Sequence, residues 1–448
     1  MPKRVFFMTD SRTSLYAGRL ARLIQANTVS RENQTDKTAF YSFHALLREL
    51  FPCLFAVCSC EDFDGSLLLR WPGTDTQAAP ILLMNHHDVV EATGTWTHTP
   101  FSGEIADGKL WGRGTLDTKG GLWAMLQAAE ELAAEGFTPR MDVWFLSTCN
   151  EEQGGEGADL ISRTLAERGI RFQLVLDEGG MILPEPIDGA KGTFAMVGVG
   201  EKGCADLKFI ARSSGGHAST PGKDTPLVRL GKFMASVEKS SSLFPAEVSP
   251  TVAEMFTRLS ASMSGPLKLV LGHPRLFTPL LKRVLPSMSG TAGAMLKTTL
   301  AFTMASGSQG TNVLPQEAWV VGNMRYSHHQ GGRASIEAVS ALARQFDIET
   351  EVLSPGFDSP LSSHESDAFR LVERAVESVF PGVQTSPYVM TAASDSRYLS
   401  RVCDNCLRFT PFLISHEQMA SIHGIDENVD LSTLAPAVDC YRYLISEA

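Results

Sequence analysis

The chain has 448 residues, 43% hydrophobic and 20% charged, an ordinary globular composition and too long for one simple core, so two domains are expected. Its 39 Lys and Arg against 50 Asp and Glu give a formal charge of −11, with no basic stripe of the kind that binds a phosphate backbone, so nucleic acid is not an expected partner. The N-terminal stretch turns polar after Phe7 and has neither an apolar signal core nor a small-residue cleavage site, and no run of 18 apolar residues occurs, so a cytoplasmic protein without a membrane span is expected.

The first clear element is Ile81 to Met84, a short apolar run after Pro80 that reads as a buried parallel strand delivering His86 and Asp88 to its carboxyl end. From Thr118 the period changes: Leu122, Met125, Leu126, Ala129 and Leu132 recur at helical spacing, with Glu130, Glu131 and Glu135 among the polar positions, which predicts an amphipathic helix. Met141 to Thr148 reads as a strand ending in Asn150-Glu151-Glu152. A helix through Leu160 to Arg168 follows, then a strand from Phe172 to Leu176 ending in Asp177-Glu178. This is β-α-β-α-β, and in such open sheets ligands sit at the carboxyl ends of the strands. Ala205 to Ala211 alternates like an antiparallel strand, and helical stretches fill about 225 to 305, so an inserted domain is placed at 200–325. Beyond it, Ile336 to Arg344 and Ala368 to Val379 read as helices and Ile348 to Leu353 and Leu407 to Pro411 as strands, so α/β alternation resumes. The expected division is 1–199 and 326–448 for a discontinuous first domain, with 200–325 between.

Five positions stand at strand ends or in loops: His86, Asp117, Glu152, Asp177 and His423. Imidazole and carboxylate together suit zinc, with cobalt or manganese as substitutes, and one carboxylate can bridge two ions about 3.5–4 Å apart. Asp88, two residues from His86, is placed to fix that imidazole's tautomer, and Glu427 is a similar candidate behind His423. In the doublet Glu151-Glu152 the side chains diverge, so Glu152 can ligate while Glu151 faces substrate as general base. Taken singly, each of these residues is more often a helix cap or a satisfied polar group. The eight cysteines read as small buried apolar residues, Cys403-x-x-Cys406 lacking the second ligand pair of a zinc site.

The stretches MNHHDVV, GRGTLDTKGG, CNEEQGGEGA, VLDEGG, SGGHASTPG, TNVLPQEAWVVGNMR, ASDSRY and SIHGIDEN, in one order from residue 84 to 428, resemble the aminoacylase/carboxypeptidase family of di-zinc metallopeptidases, above all its carboxypeptidase S-like and N-acyl-amino-acid hydrolase branch. The resemblance implies an α/β fold, with a mixed-sheet di-zinc aminopeptidase-like catalytic domain and an inserted α+β lid that dimerises. It implies two zinc ions, one on His86 and Asp177, the other on Glu152 and His423, with Asp117 bridging and Glu151 as base. It also implies that His217 stabilises the oxyanion in a partner subunit's site, that Asn312 and Arg325 hold the substrate carboxylate, and that the Asp117-Thr118 peptide is cis. Asn85 and Thr118 depart from the family's usual residues. The expected activity is hydrolysis of an amide bond next to a free carboxylate, in an N-acyl amino acid or a short peptide, by a homodimer. The alternative is a relative that keeps the fold and only binds metal or amino acid.

Two other readings fail on local pattern. Gly198, Gly200 and Gly203 have dinucleotide-fingerprint spacing, but GCADLKFIAR after them reads as a strand where a helix is required, and GRGTLDTKGG lacks the ending of a phosphate-binding loop. The apolar stripe Leu269, Val270, Leu271, Leu276, Phe277, Leu280 and Leu281 reads as lid core or dimer contact, with an acyl-chain lining as the alternative.

Overall fold

The structure is a computed structural model describing residues 11–288 and 290–447; the first ten residues of the N-terminal stretch read above for a signal lie outside the described residues. Among these residues a nine-stranded mixed sheet forms the centre. Its order is Ser59–Phe63, Ser66–Trp71, Val143–Thr148, Ile81–His86, Leu174–Asp177, Cys406–Arg408, Thr193–Glu201 and Gln384–Met390, with Ile182–Pro184 added on Thr193–Glu201. Ile81–His86 pairs in parallel with both neighbours, and all six of its residues are buried. That is why it reads as an unbroken apolar run: a strand covered on both faces has no solvent side to alternate towards.

Helix Lys119–Ala134 is buried along nearly its whole length, where the sequence reading expects a solvated face. Helices Ser11–Gln25, Pro52–Val57 and Leu431–Ser446 cover its outer side. Its polar residues therefore find partners: Glu130 Oε2 accepts from Leu54 N at 2.8 Å and Gln127 Oε1 from Arg19 Nη1 at 2.7 Å. At its start, a methyl group on Gly120 would lie 2.1 Å from the Thr115 carbonyl oxygen. Glycine thus allows this helix to press directly against the loop that carries Asp117.

A second, antiparallel sheet has the order Thr299–Ser306, Glu317–Tyr326, Gly203–Arg212 and Glu349–Ser354. Helices Pro226–Lys239 and Gly332–Arg344 pack on it over Phe209, Leu230, Phe233, Val320 and Val339. The strand after Gly203 removes the dinucleotide reading. Three features differ from the sequence reading. The second sheet runs past residue 325, because Glu349–Ser354 finds its partner in Gly203–Arg212. Residues 299–306, expected among helices, form a strand because they complete the edge beside Glu317–Tyr326. Helix Pro250–Ser260 turns away from this sheet and packs on Gln384–Met390 of the larger one, where Met255, Phe256 and Leu259 join Phe194 and Leu271 in a separate core. No helix among the described residues is long and apolar enough to cross a membrane.

Candidate metal centre

The carboxyl ends of the parallel strands and three loops bring two sets of ligand-type atoms together: His86, Asp117 and Glu178 in one, and Asp117, Glu152 and His423 in the other, the atoms of each set lying within 4.8 Å of one another. Asp117 belongs to both. Its Oδ1 is 3.0 Å from His86 Nε2 and its Oδ2 is 2.9 Å from His423 Nε2. Glu178 Oε1 completes the first set at 3.2 Å from His86 Nε2, and Glu152 Oε1 the second at 3.2 Å from His423 Nε2.

Asp177, expected as a ligand, stands outside this cluster. It is the last residue of its strand, and both its oxygens are taken by backbone: Oδ1 accepts from Glu178 N at 2.8 Å and Oδ2 from Ser396 N at 2.7 Å. Its neighbour turns to the other side and supplies the carboxylate. The doublet was a usable signal, since the same divergence separates Glu151 from Glu152.

Each member is held from behind. Buried Asp88 accepts from Ser30 Oγ at 2.7 Å and from Glu151 N and Glu152 N at 3.2 Å each, so it fixes the turn that presents the glutamate pair. Asp88 also bears on His86, whose Nδ1 faces the Asp88 carbonyl oxygen at 2.8 Å and Oδ1 at 3.3 Å. That fixes Nδ1 as the protonated nitrogen and leaves Nε2 for the cluster. Glu427 acts elsewhere than the sequence reading expects: it accepts from Arg113 Nη1 at 2.7 Å, Leu116 N at 2.8 Å and Asp117 N at 3.2 Å, so it orders the loop carrying Asp117. The two departures, Asn85 and Thr118, meet each other, Thr118 Oγ1 donating to Asn85 Oδ1 at 2.9 Å. The Asp117-Thr118 peptide is cis.

The electrostatics suit cations. Burial pushes Glu178 up to about 8, with Asp117 and Asp177 adding to it, and burial raises Glu151 well above the usual carboxylate range, helped by Asp395, Glu178 and Glu152. Burial would raise Asp117 as well, but bonds from His423 and His86 hold it below that range. The same contacts with Asp117 and Glu152 push His423 up to about 10. A cluster in which carboxylates resist ionisation and imidazoles hold extra protons is short of positive charge. Mixed nitrogen and oxygen donors at this spacing fit divalent metal at both sets.

Beside the cluster lies a cleft of about 520 Å³ lined by Glu151, Lys202, Arg325, Phe357, Arg397 and Tyr398, among others. Arg397 Nη1 is 4.0 Å from Glu151 Oε1 and 3.9 Å from Glu201 Oε1. Arg325 reaches this cleft, with its Nε on Asn323 Oδ1 at 3.1 Å. Lys202 and Arg397 also line the wall and carry no role in the sequence reading, although Arg397 lies in the quoted ASDSRY stretch; burial, with Arg325 and Lys297 nearby, pushes the Lys202 ammonium down to about 7. His217 and Asn312 are brought together instead on an exposed two-stranded ribbon, Gly216–His217 with Val313–Leu314, and neither lines the cleft of its own chain.

Comparison with known proteins agrees with this architecture. The profile of peptidase family M20/M25/M40 matches residues 82–447. The chain is 32% identical over 454 residues to "Probable carboxypeptidase S-like 2" of Dictyostelium discoideum, covering 97% of this chain and 86% of that one. It is 30% identical to "N-fatty-acyl-amino acid synthase/hydrolase PM20D1" of Homo sapiens, covering 95% and 86%. Among solved structures, an M20 family metallo-carboxypeptidase from Sulfolobus solfataricus aligns with a TM-score of 0.72 at 15% identity, over 98% of this chain and 99% of that chain. Human carnosine dipeptidase 1 aligns at 0.68 and 14%, over 97% and 96%. At these identities the two structures bear on the fold alone.

Proposed function

The chain belongs to peptidase family M20/M25/M40 and is a metal-dependent hydrolase; from that premise we propose that it cleaves the amide bond of N-acyl amino acids, with a free carboxylate on the amino-acid side. The observation that carries this reading is the pair of ligand sets sharing Asp117, next to a cleft whose lining includes the carboxylate of Glu151 and the guanidinium groups of Arg325 and Arg397. In this reading His86, Asp117 and Glu178 hold one ion and Asp117, Glu152 and His423 the other, zinc being the metal that suits imidazole and carboxylate best, with cobalt or manganese as substitutes. When bound, the ions polarise the scissile carbonyl and make water easier to deprotonate.

The chain's own residues do the rest. Glu151 takes the proton of the attacking water and hands it to the nitrogen of the leaving amino acid. Asp88 keeps the Glu151–Glu152 turn and the His86 ring in place. Arg325, with Arg397 on the same wall, takes the substrate carboxylate, for which a guanidinium fork offers two parallel bonds. His217 and Asn312, outside the cleft of their own chain, serve the site of a second copy in a homodimer, His217 donating to the oxyanion. The acyl side of the substrate is inferred from the named activity of PM20D1 in Homo sapiens. The test is a screen of N-acyl amino acids, their carboxamides and dipeptides, with and without chelator. Chelator-sensitive cleavage of the acyl amino acids with the carboxamides spared supports the reading; dipeptides alone being cleaved overturns the substrate class.

A further inference from the structure

Between Glu254 and Glu317 the chain holds six basic residues and no acidic one, in a protein whose formal charge is −11. Helices Gly265–Gly272 and Thr278–Met288 and the turn joining them carry four of these, Lys268, Arg275, Lys282 and Arg283. The same stretch has two apolar sides. Leu271 and Leu281 are buried with Met255, Phe256 and Leu259. Leu269, Leu276 and Leu280 point the other way and are 58%, 78% and 47% exposed. Thus the apolar stripe of the sequence divides, half of it core and half of it facing solvent. Leu276 and Leu280 are four residues apart, and the chain is already hydrogen-bonded helically at Phe277, whose carbonyl accepts from Leu281 N at 2.9 Å.

The neighbouring charges decide what this face attracts. Arg258 is paired with Glu254 and Glu373, and Arg275 shares a cleft with Glu254 and Glu365. Lys268, Lys282 and Arg283 are exposed and have no ion-pair partner among the described residues. Exposed leucines interleaved with unpaired cations are the pattern of an interfacial helix, whose apolar side enters the headgroup boundary while Lys and Arg meet lipid phosphates. A symmetric contact with a second copy would set these cations against themselves. We propose that this helical cap docks on an anionic phospholipid bilayer surface, which requires no spanning segment. The cap is also fastened to the cleft: Lys202, a wall residue beside Glu151, donates to the carbonyl oxygens of Ala294 at 3.0 Å and Lys297 at 2.8 Å. Ala294 belongs to helix Gly290–Leu296, which packs on Thr278–Met288, so the docking surface is joined to the cleft through that helix, whatever amide is hydrolysed there.

The test is sedimentation of the full-length, metal-loaded protein with vesicles of phosphatidylcholine alone and with roughly one third phosphatidylserine, at low salt and at about 0.5 M NaCl. Two double variants accompany it, Leu276→Ser with Leu280→Ser and Lys282→Glu with Arg283→Glu, each checked by circular dichroism and by size-exclusion chromatography. The expected result is salt-sensitive binding to the anionic vesicles, weakened about tenfold or more by either double variant. Equal binding to neutral vesicles, no binding to either, or binding that both double variants leave unchanged overturns the proposal. Dissociation of an oligomer by the leucine variant, with vesicle binding intact, also overturns it and assigns the face to a second copy.

Discussion

Exchanging the two acids at the end of strand Leu174–Asp177 separates a structural carboxylate from a metal-holding one. In Asp177→Asn, one amide oxygen can still accept one backbone N–H, but the amide NH2 must face the other. Asp177 is 2% exposed and accepts from Glu178 N and Ser396 N at 2.8 and 2.7 Å. One buried donor is left unsatisfied, a loss of about 1–3 kcal/mol in stability, while both metals stay. Glu178→Gln does the opposite. It removes a carboxylate 3.2 Å from His86 Nε2, so bound metal should fall from two ions per chain towards one and hydrolysis should collapse. Stripped of metal, the Gln variant should be the more stable one at pH 7. Burial raises Glu178 to about 8, so the folded metal-free protein keeps a proton there that the unfolded chain releases above about pH 4.3. Its stability falls as pH rises through that window, and glutamine carries no such penalty. Metal analysis by mass spectrometry, with urea unfolding of loaded and stripped protein, reads all of these effects. Loss of metal from Asp177→Asn with full retention in Glu178→Gln would refute the assignment.

Replacing Glu151 with Gln keeps shape and removes the proton acceptor, so kcat should fall by about 10²–10⁴ with metal content near wild type; surviving activity would place the base elsewhere. Arg325→Ala should raise KM by the equivalent of about 1.5–3 kcal/mol for an acyl amino acid and hardly at all for its carboxamide; equal losses on both would remove Arg325 from carboxylate binding. His217→Ala and Glu151→Gln should each be nearly inactive as homodimers, whereas a heterodimer of the two, isolated with two affinity tags, should regain activity through its one intact composite site; a heterodimer as inactive as its parents would contradict the shared site. Burial lowers the pKa of His44 despite Asp62 at 3.3 Å. The unfolded chain therefore takes up a proton near pH 6.5 before the folded one does, and stability is full above that pH and lost below it. His44→Phe should flatten this decline in metal-free urea midpoints between pH 7.5 and 5.5, and an unchanged slope would assign it to other groups.

The elements that frame the site were legible because they obey one period each. Ile81–His86 and Val143–Thr148 are buried on both faces and read as continuous apolar runs, and their ends carry His86 and the Glu151-Glu152 doublet. Helix Lys119–Ala134 was legible as a helix but not as a buried one, because the helices that cover it come from residues 11–57 and 431–446, distant in sequence. The edge strand Thr299–Ser306 was hidden for a similar reason, its pairing being its main determinant. Asp177 and Glu178 could not be told apart from sequence since both carboxylates stand at the same strand end, and the bond from Ser396 N, more than two hundred residues on, helps turn Asp177 to backbone while Glu178 joins the cluster. The cleft wall of Lys202 and Arg397 draws on separate segments, so no local spacing announces it.

In the proposed function, two cations shared through Asp117 serve the hydrolysis of a carboxylate-bearing amide. The direct measurement is titration of zinc into metal-stripped protein, following bound metal and hydrolysis of an N-acyl amino acid and its carboxamide together. Two tightly bound ions per chain are expected, with hydrolysis that becomes complete only with the second and little action on the carboxamide. Full activity without metal, or with the first ion alone, would contradict it, as would equal rates on acid and amide.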